Sequence, residues 1–450
     1  MKNSKSWSVA TLATVACWML SAGVAQAASG YVYGYLKHYQ NQGNFCDDDD
    51  GRSCDGAQYL ETEFNTVVPV RNAEVYVRDQ NDVVIGTGTT SSTGYFNIYW
   101  YRSTMPTSAS LYWTLKHAAG RFQIFSPSGA TWILWTGPFT LINGGYTYIG
   151  TPTWGGPGAP HALTNVYDGA EKMWRSSLAY AGAALNGFAN LDIRALSNTV
   201  PYSCSSSCAL ADYNIVQLDA NAAYAPQARV MHEMGHIAIY QARTHRIRAT
   251  ADPNMLFADY CYPGTYVANL TLCNCTCGCL ASGGCSGWSL TPPMATAEYR
   301  AASFEEGLAT FFGDTAIYWS WSPEPYSCRA SSASCTRTAA NNIETSTGTT
   351  CASGETRWAI SVDRYLRDMY DSVNDPGFGE AMARPYYEFF NVLAQFPDGT
   401  GNHQKDETWN ASFTALDARD GRSASDDFGY NFTSLTGLTS INQYTYNCTP

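Results

Sequence analysis

The sequence predicts a chain in two parts, an all-β sandwich followed by a mixed α+β unit. Three observations carry that expectation. Residues 30 to about 152 hold short runs rich in Tyr, Val, Ile and Trp, separated by Gly, Ser, Asn and Asp. The Gly/Pro-rich stretch Thr151–Pro160 then reads as a linker. Beyond it the apolar spacing turns helical, over Thr164–Leu185 and again from Pro226. With 450 residues the chain has room for two or three domains of ordinary size.

The first 27 residues read as a signal peptide. Lys2 and Lys5 precede the mainly apolar run Val9–Ala25, and Ala25-Gln26-Ala27 has the small-x-small form of a cleavage site. Thr11, Thr14 and Ser21 interrupt the run, which is short for a spanning helix. No later segment is apolar enough to cross a bilayer, so stable membrane insertion is not expected. The mature protein is expected to be secreted into an extracellular, oxidising compartment. The cysteines agree: one of the 15, Cys17, lies in the signal, and an even number remains for disulfides. The net charge of −12 and the six lysines leave no basic cluster to neutralise phosphates, which excludes nucleic acid as a partner.

Within residues 28–152 the expected strands include Gly30–Leu36, Ala73–Arg78, Gly94–Trp100 and Ser110–Leu115. Glu74-Val75-Tyr76-Val77-Arg78 alternates as a strand with one wet and one buried face does. The stretch Val68–Val77, followed by Gly86-Thr87-Gly88-Thr89-Thr90 and Thr93-Gly94-Tyr95-Phe96, resembles the prealbumin-like sandwich of carboxypeptidase regulatory-like domains. That resemblance covers about thirty residues and implies a non-catalytic accessory module. Between Cys46 and Asp55 five carboxylates crowd together. A solvated acidic loop closed by Cys46–Cys54 is the default reading, and a Ca2+ site at Asp47–Asp55 is the alternative.

The chemistry is concentrated in Val230-Met231-His232-Glu233-Met234-Gly235-His236-Ile237, which contains H-E-x-x-H. With 7 His and 14 Glu in the chain, chance yields this pattern roughly 0.003 times. Pro226 suits a first helical turn, and Val230, Met234 and Ile237 follow helical spacing. On such a helix His232 and His236 sit one turn apart on one side, able to reach a single Zn2+. Glu233 is rotated by about 100° from His232, close enough to take a proton from a zinc-activated water without being a ligand.

These residues resemble the zincin metallopeptidases. The metzincin branch fails, because Ile239 and Ala242 stand where its Gly and His belong. The gluzincin branch takes its third ligand from a later helix, often within E-G-x-A, and Ser303–Asp314 contains Glu306-Gly307-Leu308-Ala309. The resemblance implies Glu306 as third metal ligand, with Glu305 and Asp314 as alternatives. Ser303 with Glu306 also fits a helix capping box. Two departures stand out. The interval from His236 to Glu306 is long for the family, and Thr310 occupies the position of a supporting Asp. Six cysteines between Cys261 and Cys285 suggest a disulfide-stabilised insertion near 261–285. A C-x-C-x-C-x-C metal–thiolate site is the alternative there. The whole of 153–450 is thus expected to be a zincin-like metallopeptidase domain. For oxyanion stabilisation Tyr386, Tyr387 and His403 qualify by position only, and Arg357–Val373 reads as a helix packed in the C-terminal half.

The expected function is a secreted zinc-dependent metalloendopeptidase acting on protein or peptide substrates, with Glu233 as general base. Two other readings stand beside it: a cell-surface binding protein or adhesin with an inactive zincin domain, and a zinc hydrolase acting on a different amide.

Overall fold

The computed structural model describes residues 27–40, 67–156, 161–181, 190–197, 207–210, 213–220, 226–243, 297–298, 300–316 and 357–358, together with 366, 370 and 389. Residues 1–26, the acidic loop 46–55, the Cys-rich stretch 261–285 and Tyr386, Tyr387 and His403, for which the sequence carries expectations, lie outside these residues. The described chain is mostly β-sheet with a few helices.

The first ten strands lie in the order β1 (Ala28–Tyr35), β2 (Lys37–Tyr39), β3 (Val67–Pro69), β4 (Ala73–Asp79), β5 (Val84–Thr89), β6 (Tyr95–Arg102), β7 (Ala109–His117), β8 (Phe122–Phe125), β9 (Leu134–Trp135) and β10 (Tyr146–Tyr148). The expected strands fall within a residue or two of these bounds. The alternation read in Glu74–Arg78 is present: Ala73, Val75 and Val77 are buried while Glu74, Tyr76 and Arg78 are half-exposed. In β7 the same period buries Ala109, Leu111, Trp113 and Leu115. One small sheet has the order β10-β1-β6. Its inner face contributes Val32, Phe96, Ile98 and Trp100 to the core. β5 approaches β6 so closely that a Cβ at Gly88 would fall 2.6 Å from Ile98 Cγ1.

The remaining elements are β11 (Thr153–Trp154), α1 (Ala162–Ala181), β12 (Leu191–Ser197), β13 (Cys208–Leu210), β14 (Ile215–Asp219), α2 (Pro226–Arg243), β15 (Ala297–Glu298), α3 (Arg300–Asp314) and β16 (Arg357–Trp358). The principal sheet runs β13-β14-β12-β8-β7-β4-β5, with β9 also paired to β7. It crosses the linker predicted from sequence. β12 pairs in parallel with β8, from Leu191↔Phe122 to Arg194↔Phe125, so strands from both sides of Thr151–Pro160 share one sheet. Cys208, on the edge strand β13, is disulfide-bonded.

The helices pack in series. A Cβ on Gly169 of α1 would stand 2.8 Å from Gln227 Cα and Val230 Cγ1 of α2. On the other side of α2, a Cβ on Gly235 would stand 2.3 Å from the carbonyl oxygen of Ala309 in α3. No helix among the described residues is long and apolar enough to cross a membrane. One expectation needs correction. Arg357 and Trp358 do not begin a helix; they pair antiparallel with Glu298 and Ala297 as a short strand. Helical backbone is present at Leu366 and Tyr370, both buried. The helical expectation therefore fails at Arg357 and Trp358, where backbone pairing with β15 prevails over local periodicity, and holds at Leu366 and Tyr370.

Candidate metal centre

α2 exists because its apolar residues recur at helical spacing and must be covered. Val230, Met231, Met234, Ile237 and Ala238 are all buried, and Pro226 opens the helix where its missing N–H removes no bond. The same register sets His232 and His236 one turn apart. Their ring centroids are 4.8 Å apart with planes at 84°. His232 and Glu233 are 7% and 3% exposed, and His236 is half-buried. One ligand atom from each of His232, Glu233 and His236 can be chosen so that all lie within 4.8 Å of one another. The two imidazole nitrogens suit a divalent metal of borderline softness, and the Glu233 carboxylate lies close enough to reach a molecule bound to it.

α3 supplies the wall. Gly235 has no side chain, so the backbone of Ala309 can rest directly against α2. Gly313 also faces α2, where a Cβ would stand 3.3 Å from His232 N. Between these two contacts Thr310 is fully buried, with its Oγ1 3.4 Å from His232 Nδ1. A hydroxyl at that place can accept the Nδ1 proton, which leaves Nε2 with its lone pair for a metal. Thr310 occupies the position where the sequence was noted to lack an Asp. The shorter side chain still reaches the ring.

The residues expected to supply a third ligand are described by their backbone alone or stand outside the group. Glu305 and Glu306 lie on α3, where the backbone but not these side chains belongs to the described residues. Position 306 is one turn before Thr310 on that helix. Asp314, the other alternative, is buried one turn beyond Thr310 and is not part of the candidate metal-binding group among the described residues.

A second polar cluster was not singled out from the sequence. α1 is buried on nearly all sides from Thr164 to Met173, although it carries Asn165, Asp168, Glu171 and Lys172 there. Lys172 Nζ donates to Gln227 Oε1 at 3.2 Å and sits 3.5 Å from Asp168 Oδ2. Gln227 Nε2 donates to Asp168 Oδ2 at 3.0 Å and to Asn165 Oδ1 at 3.1 Å. His38 Nε2, from β2, lies 3.9 Å from Asp168 Oδ1. Burial pushes the Asp168 carboxyl up, but the Lys172 ammonium and the His38 ring outweigh it and hold the group well below the usual carboxylate range. Burial raises Glu171 despite Arg175 and the hydrogen bond donated by Asn72 Nδ2. The available signal was helical spacing of the polar residues themselves: Asn165, Asp168 and Lys172 share one face of α1.

No protein-family model matches the chain, and no curated protein matches it. Among solved structures, a 9R-lipoxygenase from Cyanothece PCC8801 is similar at 14% identity over 39% of this chain, with a TM-score of 0.14. The match spans about a quarter of that structure, 26% of its length. A likeness of that degree carries neither a fold nor an activity across.

Proposed function

We propose that this chain is a secreted zinc-dependent metalloendopeptidase whose residues after the linker form a zincin-like, gluzincin-type catalytic unit. The observation that carries the reading is the convergence of His232, Glu233 and His236 within 4.8 Å on the buried helix α2. Zinc, when bound there, supplies the Lewis acidity that brings the pKa of water towards neutrality. His232 and His236 offer two imidazole nitrogens, and Thr310 fixes the ring of His232. Glu306, one turn before Thr310, is the proposed third ligand. Glu233 takes the proton of the attacking water and returns it to the leaving amine. The low exposure of Glu233 favours this shuttle by limiting competition from bulk water. The disulfide at Cys208 supports an oxidising compartment and, with the leader-like N-terminus, secretion.

The test is zinc quantification together with casein hydrolysis by the full chain and by Glu233→Gln. Both proteins are expected to hold about one zinc, and only the wild type is expected to cleave. Zinc-free wild-type protein, or casein cleavage by Glu233→Gln, would overturn the reading.

A further inference from the structure

The outer face of the β10-β1-β6 sheet is built almost entirely of tyrosine. Strand alternation turns Val32, Phe96, Ile98 and Trp100 inward and every second residue outward. The pairing registers then align the outward residues in rows. Tyr146, Tyr31 and Tyr99 make one row, and Tyr148 and Tyr33 continue beside Asn97 in the next. Tyr35 faces Tyr95 at one end, and Tyr101 lies beside Ser29 at the other. The rings meet across the strands. Tyr31 and Tyr146 stack at 5.0 Å and 14°, Tyr33 and Tyr148 meet at 5.1 Å, and Tyr35 and Tyr95 at 5.4 Å. Tyr99, Tyr101, Tyr146 and Tyr148 are each more than half exposed.

Stability does not require this arrangement. A sheet with one solvated face ordinarily carries polar and charged residues there, and eight outward phenols, seven of them exposed, form an aromatic patch that solvent alone does not favour. The patch is also stiff. A Cβ on Gly30 would come within 2.7 Å of the carbonyl oxygens of Ile142 and Gly145, and one on Gly34 within 2.6 Å of that of Gly150, so β1 is clamped from below.

We propose that this face is a binding platform for a neutral polysaccharide. Two features select that occupant. The outward residues of the three strands are Tyr, Ser and Asn, and Arg102 at the end of β6 falls on the inward parity, opposite buried Ala28, with its guanidinium held by Asp79 at 2.9 Å. The platform therefore matches an uncharged ligand and offers no counter-charge to phosphate, sulfate or carboxylate groups. Its chemistry is likewise matched: phenol rings pack against the C–H faces of sugar rings, and their hydroxyls donate to and accept from sugar hydroxyls. Tyrosine does this at little entropic cost, having few rotatable bonds. Four rows at two-residue spacing make a strip about 20 Å long, suited to a chain of sugars more than to one.

The test is adsorption of the full-length protein to insoluble cellulose, chitin and starch granules, measured by depletion from solution in low and high salt. Heparin beads and anionic lipid vesicles serve as charged comparators. The expected result is salt-insensitive retention on at least one neutral polymer, weakened about tenfold or more in the triple variant Tyr31→Ser, Tyr99→Ser, Tyr146→Ser. The corresponding Phe variant keeps the rings and is expected to retain most of the binding. Thermal melts of both variants check that the sandwich is intact. No retention on any of the three polymers would overturn the proposal. So would undiminished retention of a folded Ser variant, binding confined to heparin or vesicles, or burial of the face in a dimer that excludes all three polymers. Adsorption is read without any peptidase assay, so the outcome is independent of the metal centre.

Discussion

Thr310 shows how a single side chain can fix the ring of a candidate metal ligand from outside the candidate site. Its hydroxyl, 3.4 Å from His232 Nδ1, is the group that orients the imidazole. Replacing Thr310 with Val removes that oxygen with little change in volume. Zinc affinity is expected to fall about 10- to 100-fold, measured by competition with a chromogenic chelator, while circular dichroism stays unchanged. His117 permits a second prediction at this scale. It is buried, its Nδ1 accepts a hydrogen bond from the Ala119 N–H at 3.1 Å, and its ring lies 4.3 Å from that of Trp174. Burial first, and then the charge of Arg121, lowers its pKa from 6.5 to about 4. The folded state thus favours the neutral ring, and the unfolded chain takes up the proton more readily. The stability gained is complete above about 6.5 and is lost as the pH falls towards about 4. Urea melts across that window should lose part of their pH dependence in His117→Phe. Of the candidate site, His232, Glu233 and His236 were legible in sequence because their spacing is itself the geometry. The Thr310 contact was not, because it depends on how two helices distant in sequence pack.

At the scale of elements, α2 is confined between α1 and α3 by close glycine contacts, Gly169 towards α1 and Gly235 and Gly313 towards α3. Gly235 stands inside the H-E-x-x-H segment, and any side chain there meets the backbone of Ala309, which cannot swing away as a flexible side chain would. Gly235→Ala is expected to force α3 outward and to cost about 1–3 kcal/mol, with a matching loss of zinc affinity. Paired chemical denaturation and zinc titration would check both effects. α1 fixes the opposite side of α2 through charge. Asp168, Lys172 and Gln227 satisfy one another away from water, so removing one partner leaves a buried group uncompensated. Asp168→Leu should destabilise the fold by about 3 kcal/mol or more. The depressed Asp168 pKa makes its contribution full above the ordinary carboxylate range and lost as acid approaches its folded value. Strand and helix positions were largely legible, since each of these elements buries a periodic face. Arg357 and Trp358 were not, because their partners lie some sixty residues earlier in β15. Nor was the polar interior of α1, since the spacing of Asn165, Asp168 and Lys172 is equally that of a solvated helix face.

At the scale of the whole molecule, composition and spacing marked a boundary at Thr151–Pro160, and the local change there is real: strands dominate before it and helices appear after it. Hydrogen bonding ignores that boundary. β12 completes its ladder on β8, Trp132 Nε1 donates to the Ala195 carbonyl at 2.8 Å, and Tyr167 donates to the Arg71 carbonyl at 3.1 Å. Asn165 Nδ2 likewise donates to the Tyr39 carbonyl at 2.9 Å, and Asn72 binds Glu171. Such pairing is invisible in sequence, because a parallel strand finds its neighbour through tertiary register and not through local pattern. It has a direct consequence for any account in which the N-terminal β-rich part is a removable pro-segment. Residues 153–450 expressed alone would expose the β8-facing edge of β12 and leave Asp168, Glu171 and Asn165 without partners they now have. Unpaired strand edges and half-satisfied buried polar groups both favour aggregation over folding. The fragment alone is therefore expected to be insoluble, or to bind a hydrophobic dye without a cooperative melt. Co-expression with residues 28–152 should restore a soluble, co-purifying pair with one melting transition. A lone fragment that melts cooperatively and binds zinc as the full chain does would instead show that the shared sheet is dispensable.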